Sequence, residues 1–557
     1  MINFTRLVIL SLFLCLAGCY SAPQNAEVVA NNTGAQPEAE ADFNVPVPNI
    51  NLTNPLVVST RPEDVAMCSE INGQIDKSPF ANAHWGVIAV SLQDGRVACS
   101  RNGRQLFNPA SIQKTLTAIV ALDKLGMDYR WKTSILAANQ IEPDGTLNGD
   151  LILRGEGAPD FDNAALEQLV AQLQEKGLRR VKGSVVGDAS YFRGEVIGEG
   201  WTWNELQWHY GAEASALTFN ENQAFVNVEN GVGKASTDYI RVTVGTPQPI
   251  DSNTNSNAPV YEPGGVRRGL EDNDFYVWGS SKNFGMKVAI HDSAKWAAKT
   301  LRESLEKKGI TVEGDTRSRN WRTEDGFQPE KAQTLAAVDS KTLAEIVRRM
   351  NKNSVNLYGE LLLRTIGKKF GTEVPDYIQL PQAARGDDTA GAAIVKKWLL
   401  EQRIAADDTQ IADGSGLSRL DFITPESFAK AFIAAARAPY APVFTDSLPV
   451  AATDGTLGGR LGAAKGKVLA KTGTVTFVNS LAGYAQNKSG EVFTFAVIVN
   501  NETHKGAAVG IIDKVVLRIV GISADDKSTP FKQNNENENV NSDSNANGKN
   551  FVTNAVK

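Results

Sequence analysis

Histidine is scarce in this chain of 557 residues. Its four histidines lie in no HExxH or comparable ligand pattern, which argues against a zinc hydrolase, and we expect no metal and no other cofactor. Positive charge is also in short supply, since 57 lysines and arginines face 63 aspartates and glutamates, for a net charge of −6. Proteins that bind nucleic acid need a basic surface for the phosphates, so we expect no nucleic-acid partner.

Long apolar runs are lacking except at the N-terminus. Arg6 precedes an apolar segment at 7–16, and Leu-Ala-Gly-Cys follows at 16–19. Because a spanning helix needs roughly 20 apolar residues, this short segment behind a charged lead predicts a secretory signal at 1–18. Its end resembles a bacterial lipobox, in which Cys19 would be lipidated and begin the mature chain. The alternative is an ordinary signal peptide with an incidental cysteine.

The lipobox predicts an exported protein, held in the cell envelope by lipid and facing the periplasm. In Gram-negative lipoproteins an aspartate after the cysteine favours the inner membrane; here Tyr20 follows, which favours the outer membrane. The two cysteines beyond the anchor, Cys68 and Cys99, could pair in an oxidising compartment. Sequence does not show whether their Cβ atoms come within reach, so the disulfide stays open at this point.

Composition places the body of the protein between two polar ends. Residues 19–60 are rich in Asn, Ala, Pro and Glu without an apolar period, which predicts a flexible tether. Residues 526–557 are polar and of low complexity, which predicts a disordered tail. The body from 61 to 525 is long enough for two to four domains with hydrophobic cores.

Strands and helices are predicted at both ends of the body. They lie at 85–91 and 96–100 (a hairpin around Asp-Gly), 111–125 (a helix), 468–475, 480–486 and 492–500 (strands) and about 506–520 (a helix). This pattern predicts an α/β fold: one antiparallel sheet flanked by helices, built from 61–139 and 331–525. Residues 140–330 show short strands and few long helices, which predicts β-rich inserted subdomains.

The first motif with chemistry is Ser-Ile-Gln-Lys at 111–114. Residues i and i+3 share one face of a helix, so the Lys114 ammonium can reach the Ser111 hydroxyl. A lysine that is buried or faces another cation can lose its proton near neutral pH and serve as the base that a serine nucleophile needs. Alone the motif is weak, because a capped helix with a solvent-exposed lysine gives the same letters.

Two further motifs follow in order along the chain. Ser354, Val355 and Asn356 come after a helix predicted at 341–350. Lys-Thr-Gly-Thr at 471–474 opens a predicted strand, where a glycine lets the backbone approach a substrate closely. The lysine and the threonine hydroxyls of this motif offer a cation and hydrogen-bond donors to an anion.

Ser-x-x-Lys, Ser-x-Asn and Lys-Thr-Gly in this order resemble β-lactamases and penicillin-binding proteins. Ser111 and Ser354 are 243 residues apart (354 − 111), which is similar to the class C low-molecular-mass penicillin-binding proteins, the D-alanyl-D-alanine carboxypeptidase/endopeptidase family. That family carries large insertions after its nucleophile helix. Further stretches resemble the same family, at 107–111, 187–192, 215–222, 413–419, 448–450 and 454–457.

The resemblance implies a penicillin-binding transpeptidase-like domain that acts on peptidoglycan stem peptides and is acylated by β-lactams. It implies a role for each motif residue: Ser111 as nucleophile, Lys114 as its base, Ser354 as proton relay, Asn356 as an orienting amide, and Lys471, Thr472, Gly473 and Thr474 as the site of the terminal carboxylate. Trimming of the terminal D-alanine and cleavage of cross-links both stay open.

Three other readings compete. A serine β-lactamase shares the motifs, but the gap after Ser111 argues against it, and no deacylation glutamate stands at a compact spacing. A non-catalytic wall-binding lipoprotein is opposed by the intact motif residues. A Ser-His-Asp hydrolase fails because the glycines around Ser415 lack the GxSxG frame, so we expect Ser415 in a tight turn beneath the site.

Overall fold

The computed structural model describes residues 43–245, 249–250, 260–261, 264–279, 283–375, 377–378, 386–503 and 508–522. The predicted signal peptide 1–18, Cys19 and the predicted tail 526–557 lie outside these residues. Ten α-helices lie within the described part of the chain, α1 to α10: Pro62–Asp76, Gln113–Leu125, Asn163–Glu175, Ser293–Lys307, Leu343–Asn353, Asn356–Phe370, Asp387–Glu401, Pro425–Arg437, Ala441–Ser447 and Ala508–Ile519.

Twenty-one strands, β1 to β21, accompany these helices. They span His84–Ser91, Val97–Arg101, Lys132–Ala137, Thr146–Leu147, Leu151–Gly155, Arg180–Val181, Val185–Asp188, Gln223–Glu229, Val232–Ala235, Arg241–Val244, Pro249–Ile250, Val260–Tyr261, Gly265–Arg267, Asp274–Trp278, Phe284–Ala289, Thr311–Val312, Thr316–Arg319, Gln333–Asp339, Val468–Val475, Val478–Gln486 and Val492–Asn500.

Strands from the two ends of the chain form one antiparallel sheet in the order β19-β20-β21-β1-β2. Neighbouring residues of β1 point to opposite faces, and both faces are covered. Val87 packs with Ile71 of α1 and Ile512 of α10, whereas Ile88 shares the other core with α2 and α8. Burial on both faces explains why these strands are nearly continuous apolar runs. The predicted α/β sheet flanked by helices is confirmed.

The insertion has its own five-stranded mixed sheet, in the order β17-β7-β5-β3-β18. Its strands β3 and β18 correct the predicted bounds of 140 and 330. β3 begins at Lys132 and pairs antiparallel with β18, which ends at Asp339, so both strands belong to the insertion rather than to the main domain. Smaller sheets complete it, and helices α3 and α4 of 13 and 15 residues add more helix than the sequence predicts.

The tether predicted at 19–60 is wrong over its described part, 43–60. Phe43, Ile50 and Leu56 are buried in the main core. The backbone also bonds to the sheet, since the N–H of Val97 donates to the carbonyl of Val57 at 2.8 Å. These apolar residues are irregularly spaced and lie among many polar ones. The sequence therefore gives no sign that the segment packs on the body of the protein.

Cys68 of α1 and Cys99 of β2 form a disulfide, with their Cα atoms 4.9 Å apart. The bond joins the first helix to the sheet on which it packs. No helix in the described ranges combines the length and apolar character needed to cross a membrane.

Candidate active site

Ser111 lies in a short 3₁₀ turn, Ala110–Ile112, that leads into α2. The α-helix itself begins at Gln113, two residues later than predicted, and the Ser111 side chain does not cap it. Ala110 has a φ of 50°, in the left-handed region that non-glycine residues rarely adopt. This strained approach places the Ser111 hydroxyl at the edge of a cavity, with the residue 7% exposed.

Lys114 is fully buried and its side-chain nitrogen contacts three oxygens. The Nζ atom lies 2.8 Å from Ser111 Oγ, 2.6 Å from Asn356 Oδ1 and 2.7 Å from the carbonyl oxygen of Ser415. The predicted contact between Ser111 and Lys114 therefore exists. Ser111 lies in the 3₁₀ turn and Lys114 in the first turn of α2, and both are buried, which limits their motion.

Ser354 and Asn356 occupy the junction between two helices. Helix α5 ends at Asn353, Ser354 takes a left-handed φ of 59°, and Asn356 begins α6. Asn356 donates its Nδ2 hydrogen to the carbonyl of Tyr210 at 2.8 Å, which orients its Oδ1 toward Lys114. The sharp reversal at Ser354 thus directs Asn356 to Lys114 and the Ser354 hydroxyl to Lys471.

The third motif lies on the edge strand β19. Lys471 is fully buried and donates to Ser354 Oγ at 2.8 Å, so the second and third motifs meet directly. Thr472 donates to the Thr456 hydroxyl, and the Thr474 hydroxyl donates to Asn479. A cation and two hydroxyls therefore lie along one strand edge beside Ser111.

Gly473 is needed for a reason that differs from the predicted approach to a substrate. A Cβ atom at this position would lie 2.2 Å from Ser480 Oγ and 2.9 Å from the backbone nitrogen of Ser111. Only glycine lets β19 pack against the turn that carries the nucleophile. The glycine thus sets the spacing between the third motif and the first.

Glu205 is a site residue that the motifs did not reveal. It lines the cavity of Ser111 with Tyr210 and Leu417, and it is only 5% exposed. Burial raises the pKa of the Tyr210 phenol, and the nearby Glu205 carboxylate adds to this shift. The Glu205 carboxyl group accepts the backbone N–H of Thr202, and the charge of Arg419 acts on it from nearby. In the sequence, Glu205 is marked only as an acidic residue within the aromatic-rich stretch at 201–210.

Ser415 lies beneath the site, as predicted, and is not placed to attack. Its hydroxyl is buried and donates to Asp413 at 2.7 Å, while its carbonyl accepts from Lys114. Glu360 accepts the backbone N–H of Gly414, and burial raises the Glu360 pKa to about 8. The turn is therefore held by buried carboxyl groups.

The arrangement joins the Ser111 hydroxyl to the amine of Lys114. A second lysine, Lys471, contacts Ser354 nearby. Within the described ranges, no cluster of three or more His, Cys, Asp or Glu side chains is placed to hold a metal ion. The chemistry that these side chains can supply is attack by Ser111, proton transfer through Lys114 and capture of an anion near Lys471.

Comparison with known proteins agrees with this chemistry. A sequence profile of the D-Ala-D-Ala carboxypeptidase 3 (S13) family matches residues 68–518. The D-alanyl-D-alanine carboxypeptidase DacB of Haemophilus influenzae is 28% identical over 433 residues, covering 74% of this chain and 85% of that protein. The D-alanyl-D-alanine carboxypeptidase of an Actinomadura species is 28% identical over 478 residues, covering 81% and 84%.

A solved structure is similar over most of its length. The crystal structure of penicillin binding protein 4 from Haemophilus influenzae matches with a TM-score of 0.66 at 26% identity. The match covers 78% of this chain and 94% of that one. The inserted sheet and the main domain are therefore parts of a shared architecture.

Proposed function

The chain belongs to the D-Ala-D-Ala carboxypeptidase 3 (S13) family, and from this premise we propose that Ser111 cleaves peptidoglycan stem peptides through an acyl-enzyme. One observation carries the proposal: Lys114 Nζ lies 2.8 Å from Ser111 Oγ, and Lys471 of the third motif donates to Ser354 of the second at 2.8 Å. Nucleophile, base and a second cation are thus assembled before any substrate arrives, which is the preorganisation that catalysis requires.

In the acylation step Ser111 Oγ attacks the carbonyl carbon of the penultimate D-alanine, and Lys114 takes the hydroxyl proton. The bond from this carbon to the terminal nitrogen then breaks. The proton that Lys114 took is passed through the Ser354 hydroxyl to the leaving nitrogen, so Ser354 regains the proton that it gives; the Ser354 hydroxyl is held by a contact with Lys471. An ester on Ser111 and a free amine result.

Developing charge needs fixed donors. Backbone N–H groups of Ser111 and Thr474 form the oxyanion hole in this proposal, and each such donor is worth about 3–4 kcal/mol in other serine hydrolases. Support comes from the contact at Gly473, which holds the strand against the Ser111 turn. The terminal carboxylate lies near Lys471 and the hydroxyls of Thr472 and Thr474.

Water completes the cycle by attacking the ester, which returns Ser111 to its free form and releases the shortened peptide. A β-lactam would acylate the same serine, because its strained amide presents a carbonyl to the same donors. Trimming of a terminal D-alanine and cleavage of a cross-link use one reaction. They differ only in whether the leaving amine belongs to D-alanine or to a second stem peptide.

Lys471→Ala should reduce cleavage of a peptide with a free terminal carboxylate by about 10- to 100-fold, since a hydrogen bond to a charged group is lost. We expect a smaller loss on the same peptide with an amidated terminus. Steady-state rates on the two peptides, with products identified by mass spectrometry, measure this. The control is Lys467→Ala, which removes a lysine that bonds to Gln486 just before β19. Equal losses on both peptides would assign Lys471 to the general potential of the site.

We further propose that Cys19 carries a lipid and holds the enzyme in the envelope, facing the periplasm. Leu-Ala-Gly before Cys19 supports this, as does Tyr20 for the outer membrane. One acyl chain gives marginal binding, so stable attachment needs the two or three chains of a bacterial lipoprotein.

Native protein should therefore sediment with membranes, whereas Cys19→Ala should be soluble or remain an unprocessed precursor. Cys15→Ala is the control, because it changes a cysteine inside the apolar segment without touching the cleavage site. Fractionation and mass spectrometry of the mature N-terminus test this. A mature chain that begins beyond residue 19 and lacks lipid would leave an unanchored exported enzyme instead.

A further inference from the structure

The turn beneath the nucleophile is organised around one carboxylate. Asp413 is fully buried and accepts five hydrogen bonds. Its Oδ1 takes the backbone N–H groups of Ser415 at 3.2 Å and Gly416 at 2.6 Å. Its Oδ2 takes the Ser415 hydroxyl at 2.7 Å, the Ser418 N–H at 2.9 Å and the Trp201 indole N–H at 2.9 Å. All five of these hydrogen bonds are donated to the Asp413 oxygens, which act in this turn as acceptors.

This turn packs directly on the chain that carries Ser111. Gly416 has a φ of 78°, and a Cβ atom there would lie 1.9 Å from the carbonyl oxygen of Ala110. The Thr117 hydroxyl of α2 also donates to the carbonyl of Gly414. The conformation of the turn is thus matched to the position of the nucleophile and of Lys114.

The contacts of Lys114 set the direction of its lone pair. A neutral amine has two N–H groups and one lone pair. The Ser415 carbonyl oxygen can only accept, and so can Asn356 Oδ1, whose identity is fixed because Asn356 Nδ2 donates to a carbonyl. When both oxygens take an N–H of neutral Lys114, its lone pair can face Ser111 Oγ, which lies 2.8 Å from Nζ.

We propose that Asp413 is a positioning residue that holds the Ser415 carbonyl against Lys114, so that the lone pair of Lys114 faces the Ser111 hydroxyl. The inference rests on the proposed roles of Ser111 and Lys114. Asp413 touches neither substrate nor reacting atoms and acts only through the turn. Its removal should impair the acylation step itself while leaving the binding of the acylating molecule nearly unchanged.

Asp421 supplies a matched control. It is also fully buried and accepts the backbone N–H groups of Ala412 and Asp413 on one oxygen. Burial raises the Asp421 pKa well above its usual range, and the neighbouring Asp413 carboxylate acts in the same direction. Asparagine resembles a neutral carboxyl group, so it should replace Asp421 with little effect. At Asp413, asparagine would replace one accepting oxygen with an NH₂ group, which cannot accept the hydrogen bonds that this oxygen takes.

The experiment follows single-turnover acylation of the full chain by a chromogenic cephalosporin. It measures the first-order acylation constant, the half-saturating concentration and the burst stoichiometry. For Asp413→Asn we expect the acylation constant to fall by about 100-fold, as a small misplacement of reacting groups can cause, with half-saturation within about threefold of wild type. Asp421→Asn should stay within about twofold. Ser415→Ala removes one of the five bonds and should lower the constant by roughly 5- to 10-fold.

A lower burst stoichiometry for Asp413→Asn, with a wild-type constant for the fraction that reacts, would show a merely structural role and overturn the inference. If Asp413→Asn does not fold, Ser415→Ala decides, and an unchanged constant overturns the inference. Failure of the proposed function looks different: wild type would then give no burst, or its adduct would not lie on Ser111.

Discussion

Replacing Ser111 with alanine should abolish both peptidase activity and covalent labelling by a fluorescent penicillin. The Ser111 hydroxyl is the proposed nucleophile and lies in contact with Lys114. Loss of a nucleophilic serine lowers kcat on the order of 10⁶-fold in another serine hydrolase. The fold should persist, since the change deletes one hydrogen bond worth about 1 kcal/mol. Intact mass, peptide mapping of the adduct and a thermal melt measure these three outcomes.

Ser415→Ala tests whether Ser111 or the nearby Ser415 is the serine that penicillin acylates. Because the Ser415 hydroxyl is directed at Asp413, this variant should still be labelled to completion at saturating penicillin, only more slowly. An adduct recovered on the peptide that contains Ser415, or full labelling of Ser111→Ala, would refute the assignment of Ser111.

Lys114→Met should lower the acylation constant by between about 10²- and 10⁴-fold, the range attributed to a positioned general base. Methionine keeps the length of the side chain but cannot take the Ser111 proton. We expect the melting temperature to stay close to that of wild type or rise, because burying a polar amine group carries a desolvation penalty. Single-turnover acylation and a thermal melt report the two effects separately.

Lys124→Met is the matched control on the same helix. Lys124 lies in the last turn of α2 and contacts Glu373 rather than the cavity. It should acylate at the wild-type rate. If Lys114→Met also acylates at that rate, the base is another group and Lys114 serves only to hold Asn356.

The motif residues could be predicted because each motif is local and its chemistry depends on short spacing. Ser111 and Lys114 share a helix face, and the order of three motifs selects the family. Glu205 and Asp413 could not be assigned this way. Glu205 meets Ser111 across more than ninety residues of chain. Asp413 acts through a local turn, but the Ser415 carbonyl of that turn contacts Lys114 at a separation of 301 residues, which local sequence does not reveal.

The domain bounds failed for a similar physical reason. The strand Lys132–Ala137 has an ordinary apolar pattern that suits either sheet. Its partner Gln333–Asp339 lies about 200 residues away, so local periodicity could not assign it. The prediction of a flexible tether at 43–60 was wrong for a different reason. The segment is mostly polar, and its few apolar residues, such as Phe43 and Ile50, are buried in the core.

The packed segment at 43–60 also has a consequence for self-association. β2 is the outer strand of the main sheet, and an uncovered outer strand is a template for edge-to-edge aggregation. Val57 and Ser59 take up the backbone groups of Val97 at this edge. Cutting the chain at residue 60 would expose those groups and strip apolar anchors from the core. A soluble, monodisperse form of the enzyme therefore has to keep the chain from Phe43 onward.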